Sequence, residues 1–270
     1  MKMLALFAAV LSLVFLSVAP AEESAPATGP AILPLRGAET ADGKTDLLIG
    51  AGAEDLKRAE EPGAMAMSVN AFLVKMNGKN YLFDSGLPNG EIAKSLEKTG
   101  VKPENIDAVF LTHFHFDHVG GLLDDDGNAV YPNATLHVPK VEVDKWNERG
   151  TEFLSVYGAR SNAFDRGREI VPGVIGGDAG GHTPGHTVYR LEADGKTLLI
   201  IGDLIHIGGI QLANPDVAVT YDVDPVEAVA ARKRIFSQAA DEGITVAAMH
   251  LPFPGVGVLK HSGSGYIFEK

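Results

Sequence analysis

The sequence predicts a layered α/β protein, because strand and helix patterns alternate along it in two similar halves. Each half contains a hairpin signal, and each has apolar strands that end in histidine or aspartate side chains. The roughly 250 residues that follow a short leader are enough for one large core, and no linker divides them. The chain has no cysteine, which excludes disulfide bonds and a lipoprotein anchor.

The start of the chain is typical of a secretory signal peptide. Lys2 precedes an apolar run, and Ala19-Pro20-Ala21 places small residues where cleavage is expected. We therefore expect a signal peptide over residues 1–21, no stable membrane anchor after cleavage, and a periplasmic or secreted bacterial protein. An uncleaved anchor is the alternative, although the run is short for a bilayer. Residues 22–61 are expected to form a partly irregular arm before the main domain, residues 62–270.

The first half opens with a hairpin pattern, in which residues 71–76 and 80–83 flank Asn77-Gly78. The turn Asp84-Ser85-Gly86 follows the hairpin. A short amphipathic helix is predicted over residues 90–98, stopped by Gly100. Two buried strands, over residues 108–111 and 135–138, complete this half. A helix containing Trp146 is expected after the last of these strands.

The second half is less regular at its start, and residues 150–181 show no clear period. A second hairpin is predicted around Asp194-Gly195, and a last strand over residues 245–249. The strongest helix signal runs from Pro225 to Ala240, with Asp224 as its N-cap. Its core-facing side chains are expected to be Val226, Val229, Ile235 and Phe236.

Four side chains that can bind metal lie within six residues, directly after the predicted strand 108–111: His113, His115, Asp117 and His118. In extended backbone, residues two apart project to the same side, so His113 and His115 can share one ion. The chain then turns toward Gly120-Gly121, which aims Asp117 and His118 at a second ion nearby. A zinc-binding helix would instead place its histidines four residues apart.

Further donors lie at three later points in the chain. His182 and His186 flank the turn Thr183-Pro184-Gly185, while Asp203 and His250 each follow an apolar strand. Rigid scaffolds present functional groups where buried strands meet loops. The sequence therefore predicts one metal site built from several strand ends.

These segments resemble the metallo-β-lactamase-fold hydrolases. Residues 113–118 match the family's HxHxDH signature, and the HTPGH segment, Asp203 and His250 follow in the family's order. The likeness extends from about Ser68 to Tyr266. It implies a four-layer αββα sandwich of the metallo-β-lactamase type, an α/β fold, with residues 62–270 as the catalytic domain.

The resemblance implies two divalent ions per chain, zinc by default, since oxygen and nitrogen donors also accept manganese, cobalt or iron. The implied ligands are His113, His115 and His186 for the first ion, Asp117, His118 and His250 for the second, and Asp203 for both. His182 is the rival of His186. Asp117 and Asp203 are the expected catalytic carboxylates, serving a hydroxide that bridges the ions. His206 is either a pocket contact or a structural histidine.

A weaker likeness, over residues 202–215 and 250–255, is to the branch containing methyl parathion hydrolase and related lactonases. It implies an exported dinuclear hydrolase of a lactone, carboxyl ester or phosphotriester. The alternatives are a metallo-β-lactamase, disfavoured by the carboxylate at position 203, and a glyoxalase II-like thioesterase, disfavoured by the export signal. An exported metal-binding or sensing protein is the non-enzymatic alternative.

A small-molecule substrate is the expected partner. The net charge of −12, with few basic clusters, argues against nucleic acid binding. The sequence is compatible with a homo-oligomer. Three tyrosines are candidate proton donors for the leaving group: Tyr157, Tyr189 and Tyr221.

Overall fold

The structure, a computed structural model, describes residues 29–41, 43–145 and 152–270. The predicted signal peptide and Trp146 lie outside these residues. Within them, no helix combines the length and the apolar character that crossing a membrane requires.

Two sheets form the centre of the fold. Six strands make the first sheet, in the order β1 (Ala31–Thr40), β3 (Met67–Met76), β4 (Lys79–Phe83), β5 (Ala108–Phe110), β6 (Thr135–Pro139) and β7 (Ser161–Phe164). Seven strands make the second, in the order β15 (Gly265–Glu269), β14 (Val256–Ser262), β13 (Thr245–Ala247), β11 (Lys196–Ile200), β10 (Thr187–Ala193), β9 (Val174–Asp178) and β8 (Glu169–Val171). Strands β4 to β7 run parallel, as do β11 and β13.

The described residues contain a further pair of short strands and seven α-helices. The pair is β2 (Leu48–Ile49) with β12 (Ala218–Val219). The helices are α1 (Ala53–Ala59), α2 (Glu91–Glu97), α3 (Phe116–Val119), α4 (Lys140–Lys145), α5 (Glu152–Tyr157), α6 (Gly208–Gln211) and α7 (Pro225–Glu242). One of the 3-10 helices, Gly202–Leu204, bears on the site described below.

Three apolar layers hold these elements together. Successive residues of a strand point to opposite faces, so Leu73 of β3 packs with Leu96 of α2 outside the first sheet. Its neighbour Phe72 faces inward and shares a cluster with Tyr189 of the second sheet. On the far side of the second sheet, Val246 packs against α7. Helix, sheet, sheet and helix therefore stack in that order, and the predicted αββα sandwich is confirmed.

Both predicted hairpins are present. Asn77 and Gly78 have φ values of 54° and 71°, and Asp194 and Gly195 have 53° and 72°. Two successive residues in the left-handed region give the turn whose twist matches that of paired strands. The hairpins β3–β4 and β10–β11 follow, one in each sheet.

The segment predicted as an irregular arm contains the edge strand β1, which pairs antiparallel with β3. Pro34 and Gly37 interrupt the strand pattern in the sequence, because both residue types are unfavourable inside strands. An edge strand tolerates proline because one side of its backbone needs no partner, and a bulge between Arg36 and Ala38 absorbs the break in register. Residues 31–40 thus belong to the same sheet as the predicted catalytic domain.

Two further stretches were missed. Residues 152–178 form α5, β7, β8 and β9, so the expectation of irregular structure is wrong there. The strands among them have only three to five residues each, separated by glycines and charges that conceal their period. The sheet also continues beyond residues 245–249 through β14 and β15.

Helix α7 confirms the predicted N-cap. Asp224 Oδ1 accepts hydrogen bonds from the backbone amides of Val226 (3.1 Å) and Glu227 (3.0 Å). The buried residues recur at helical spacing and are Ala228, Ala231, Arg232, Ile235, Phe236 and Ala239. Val226 lies off this stripe and is 81% exposed, so its expected place in the core is wrong.

We expect Asp224→Ala to lower the free energy of unfolding by about 1 kcal/mol, because two amides of the first turn lose their acceptor. Urea denaturation measures the change. Val226→Thr, two residues away at an exposed position, is the control and should change stability by less than about 0.5 kcal/mol. Equal effects of the two substitutions would contradict a capping role.

Candidate metal centre

The predicted donors meet at one edge of the sandwich. His113 follows β5, Asp203 follows β11 and His250 follows β13, while His182 lies in the loop between β9 and β10. Strands β5, β11 and β13 thus present their carboxyl ends to the same place. Residues distant in sequence reach one another because both sheets contribute strand ends to this edge.

The first group of donors consists of His113, His115, His182 and Asp203. His115 Nδ1 lies 2.9 Å from His113 Nε2 and 2.9 Å from His182 Nε2. Asp203 Oδ2 is 3.1 Å from His182 Nε2 and 3.6 Å from His113 Nε2. Three imidazole nitrogens and one carboxylate oxygen converge, which is a donor set that fits a divalent cation.

The second group consists of Asp117, His118 and His250. Asp117 Oδ2 lies 3.7 Å from His118 Nε2 and 3.6 Å from His250 Nε2, and the two imidazole nitrogens are 3.4 Å apart. Asp203 reaches this group too, with Oδ1 3.1 Å from His118 Nε2 and Oδ2 3.1 Å from His250 Nε2. The structure therefore places Asp203 between the two groups, as expected of a bridging ligand.

The outward-facing ring nitrogens are held in place by hydrogen bonds. His118 Nδ1 is 2.7 Å from Asp84 Oδ2, and His182 Nδ1 is 3.0 Å from Asp222 Oδ1. His250 Nδ1 donates to the carbonyl of Ser68 at 2.7 Å. Such bonds fix the tautomer and leave Nε2 facing the metal position.

Thr112 orients His113 in the same way. Its hydroxyl donates to Asp84 Oδ2 at 2.8 Å, so it accepts from Nδ1 of His113 at 2.9 Å. The carboxylate of Asp84 also accepts from the Thr112 amide. The predicted turn Asp84-Ser85-Gly86 thus supports ligands of both groups from behind.

The preference for His186 over His182 is corrected by this geometry. His186 Nδ1 donates to the carbonyl of Ala179 at 2.9 Å, and Nε2 accepts from the backbone amide of Asp203 at 2.9 Å. Both nitrogens are therefore occupied by backbone. His186 directly precedes β10, and from there it positions the backbone of Asp203 instead of offering a free donor.

Two glycines permit this arrangement. Gly181 has a φ of 117°, and a Cβ there would lie 2.1 Å from the amide nitrogen of Ala228, so His182 is held against the start of α7. Gly202 has a φ of 51°, and a Cβ there would lie 2.4 Å from His186 Nε2. A side chain at Gly181 would move His182 away from α7, and one at Gly202 would displace His186 from the backbone amide of Asp203.

Burial and the carboxylates divide the histidines into two protonation classes in the metal-free protein. Burial lowers the pKa of His115 and of His206 to about 4, and that of His186 to about 3. Burial also disfavours the charged form of His182, but Asp203 and Asp222 outweigh it and raise its pKa to about 9. The surrounding imidazoles likewise outweigh burial at Asp203 and hold its pKa well below the usual range.

A cavity of about 350 Å³ opens above the two groups. Its walls come from β1 and β3 together with Phe116, which is 68% exposed, and Tyr221, which is 48% exposed. The charged residues on its lining are Glu39 and the candidate ligands, and no lysine or arginine is among the described lining residues. Strand β1, which the sequence did not reveal, supplies Ala38, Glu39 and Thr40.

The remaining aromatic candidates differ in whether they are buried in the core or face the cavity. Phe114 is buried and packs edge-on against Phe153 at 5.3 Å, whereas Phe116 faces the cavity. Tyr157 and Tyr189 are buried in the core, and their hydroxyls donate to the carbonyls of Leu122 and Leu111. Of the three candidate proton donors, the structure brings Tyr221 to the cavity.

His206 belongs to the wall of the site. Its ring stacks on that of His250 with centroids 4.8 Å apart, and its Nε2 lies 3.1 Å from Asp203 Oδ2. The low pKa keeps the ring neutral, so Nε2 donates its hydrogen to the carboxylate. The sequence left this residue undecided because nothing local indicates that the chain after Asp203 turns back toward the site.

Comparisons with known proteins agree with this geometry. A family model described as the metallo-beta-lactamase superfamily matches residues 65–250. An N-acyl homoserine lactonase from Bacillus cereus is 26% identical over 112 residues, which is 41% of this chain and 42% of the relative. Another, from Bacillus sp., is 30% identical over 115 residues, 41% of this chain and 43% of the relative. The chain thus matches less than half the length of each.

Two solved structures are similar over nearly the whole chain. One is the hydrolase AbOPH of the beta-lactamase superfamily, with a TM-score of 0.82, 30% identity, and coverage of 89% of this chain and 94% of the other. The second is AidC, a dizinc quorum-quenching lactonase in complex with a product, with a TM-score of 0.78, 27% identity, and coverage of 90% and 92%.

We expect His182→Ala to bind one ion fewer than the unaltered chain, because the first group loses a nitrogen donor. His186→Gln should keep the same number of ions, since it removes no donor that faces the metal position. Metal content after dialysis, measured by inductively coupled plasma mass spectrometry, distinguishes the two. Loss of an ion in His186→Gln with full content in His182→Ala would restore His186 as the ligand.

We also expect metal binding to release protons at neutral pH. The pKa of His182 is raised to about 9, so its ring is protonated below that pH and must lose a proton to coordinate an ion. Apparent affinity should therefore rise as pH increases from about 6 to 9, by about tenfold per unit for each proton released. Calorimetric titration in buffers of different ionisation enthalpy measures this release. An affinity independent of pH over that interval would contradict it.

Proposed function

Because the chain belongs to the metallo-β-lactamase superfamily, we propose that this metal-dependent hydrolase is exported and cleaves a neutral ester-like substrate: a lactone, carboxyl ester or phosphotriester. The observation that carries the proposal is the position of two donor groups sharing Asp203 at the floor of an open cavity with apolar walls. Zinc is the ion we propose, with two per chain. AidC, similar over most of its length, is a dizinc lactonase.

The donor set defines what the chain's own residues do. His113, His115 and His182 would hold one ion, and Asp117, His118 and His250 the other, with Asp203 between them. Divalent ions bound there would supply Lewis-acid chemistry, that is, an activated water molecule and polarisation of the oxygen under attack. Asp117, on the cavity side of the second group, accepts a hydrogen bond from the attacking water and directs it toward the substrate.

The side chains around these donors keep the site in its reactive geometry. His206 donates to Asp203, and the backbone amide of Asp203 donates to His186, so the shared carboxylate is restrained from two sides. Tyr221 lies at the cavity wall beside His206, with the ring centroids 5.8 Å apart. From there its hydroxyl serves as the hydrogen-bond donor to the substrate's leaving group.

The cavity favours neutral substrates. Phe116 and Tyr221 present exposed rings next to the donors, which suits an acyl or aryl group. A β-lactam carries a carboxylate and a glutathione thioester carries two, and the described lining offers no lysine or arginine to receive them. This argues against the β-lactamase and thioesterase alternatives, although hydroxyacylglutathione hydrolases are among the relatives.

Export is proposed on the pattern at residues 1–21, where Lys2, an apolar run and Ala19-Pro20-Ala21 occur in order. The absence of cysteine from the whole chain is compatible with an oxidising compartment. Expression of the full chain in a bacterial host, followed by fractionation and N-terminal sequencing, should give a mature protein that begins at Glu22.

The hydrolase proposal is tested with a panel of substrates: an N-acyl homoserine lactone, an aryl ester, an aryl phosphotriester, a cephalosporin and an acylglutathione. We expect chelator-sensitive turnover of a neutral substrate, and at least a hundredfold loss of kcat/KM in Asp117→Asn and Asp203→Asn. Glu192→Gln, at an exposed position paired with Arg190, is the matched carboxylate-to-amide control and should keep full activity.

Two results would overturn the proposal. Turnover that survives removal of the metal would remove the metal centre from the reaction. Metal-loaded protein that hydrolyses none of the neutral substrates would favour the anionic-substrate alternatives if it cleaves one of the other two. If it cleaves none, a metal-binding protein without this activity would be favoured.

A further inference from the structure

Glu142 is a fully buried carboxylate that lies outside the two donor groups. It is the third residue of α4, and its exposed fraction is 0%. A buried carboxylate is costly unless hydrogen bonds replace its hydration. Its partners therefore indicate why it is there.

Those partners are backbone amides from two different loops. Glu142 Oε1 accepts from the amide of Gly185 at 2.6 Å, and Oε2 accepts from the amide of Phe114 at 3.3 Å. Phe114 lies between the candidate ligands His113 and His115. Gly185 lies in the Pro-Gly turn, three residues after His182. One carboxylate thus connects both loops that supply imidazoles to the first group.

The approach of the turn to α4 is too close for any side chain. A Cβ on Gly185 would lie 2.5 Å from the backbone nitrogen of Glu142 and 2.8 Å from its Oε1. Helix α4 itself begins directly after β6, which pairs with β5 in the first sheet. The carboxylate is therefore attached to a rigid element, while the turn it holds belongs to the second sheet.

The first donor group can bind an ion only if these two loops keep a fixed separation. The contact between His115 Nδ1 and His182 Nε2, at 2.9 Å, crosses from one loop to the other. We propose that Glu142 is a positioning residue that holds these two loops at the separation the first ion requires. The inference rests on the metal-centred function proposed above, but it concerns assembly of the site and not the choice of substrate.

Glu142→Gln tests the proposal with little change of volume. The amide oxygen can accept from one of the two backbone amides, but the amide nitrogen faces the other N–H and cannot. We expect the affinity for one metal equivalent to fall about 10- to 100-fold, the effect typical of losing an outer-shell partner. The affinity for the other equivalent should stay within about twofold. Competition with a chromophoric chelator measures both affinities.

A second readout follows the loops without metal. In the metal-free Glu142→Gln protein, amide hydrogen exchange at Phe114 and Gly185, followed by NMR, should become faster because each loop loses part of its restraint. Asp144→Asn is the matched control, since Asp144 lies on the same helix and is exposed in a pair with Lys140. Its metal affinities and exchange rates should equal those of the unaltered protein.

Other results would overturn the proposal. Unchanged affinities with a lower thermal midpoint would make Glu142 a purely structural residue. If Glu142→Gln does not fold, Glu142→Asp keeps the charge on a shorter side chain and should weaken the same metal step. Failure of both to fold would also assign a purely structural role. Metal titration requires no substrate, so a protein that hydrolyses nothing would overturn the proposed function and leave this inference standing.

Discussion

The site depends on one buried carboxylate surrounded by imidazoles. Asp203 lies within 3.1 Å of ring nitrogens of His118, His182, His206 and His250. Burying the charge of Asp203 without partners would be strongly unfavourable. The surrounding imidazoles, together with any cations bound between them, compensate that charge. In the metal-free protein, a proton on His182 supplies positive charge next to Asp203, because Asp203 and Asp222 outweigh burial and raise the pKa of that ring to about 9. Metal binding and protonation are thus competing ways to satisfy the same carboxylate.

The two sheets make this convergence achievable. Their inward faces bury a continuous apolar layer that includes Phe72 and Tyr189, which fixes one sheet relative to the other. Strand ends from both sheets then meet at one edge, and the donors need only short loops to reach it. Glu142 joins two of those loops by hydrogen bonds, and the lack of a side chain at Gly185 lets the Pro-Gly turn come close enough to α4 for this. A rigid core with short ligand loops is the arrangement expected of a preorganised metal site.

Local patterns predicted much of the fold and most of the site. Asn77-Gly78 and Asp194-Gly195 gave correct hairpins because their left-handed turns depend on the residues themselves. The sequence HFHFDH indicated the centre, and the resemblance to the superfamily it carried is confirmed. Strand β1 was missed because Pro34 breaks its pattern, and only its pairing with β3 makes it a strand. Short edge elements draw their stability from neighbours, which no local pattern records.

The sequence by itself determined which chemistry is available: imidazoles and carboxylates at strand ends, in a spacing that favours metal binding. The tertiary structure decided which of those side chains face the candidate metal position. His182 and His186 flank the same Pro-Gly turn, yet both ring nitrogens of His186 pair with backbone groups, whereas the packing of Gly181 against α7 keeps His182 at the site. Asp222, 40 residues beyond His182, then fixes its ring. Such choices depend on contacts between distant segments, and those exist only once the chain has folded.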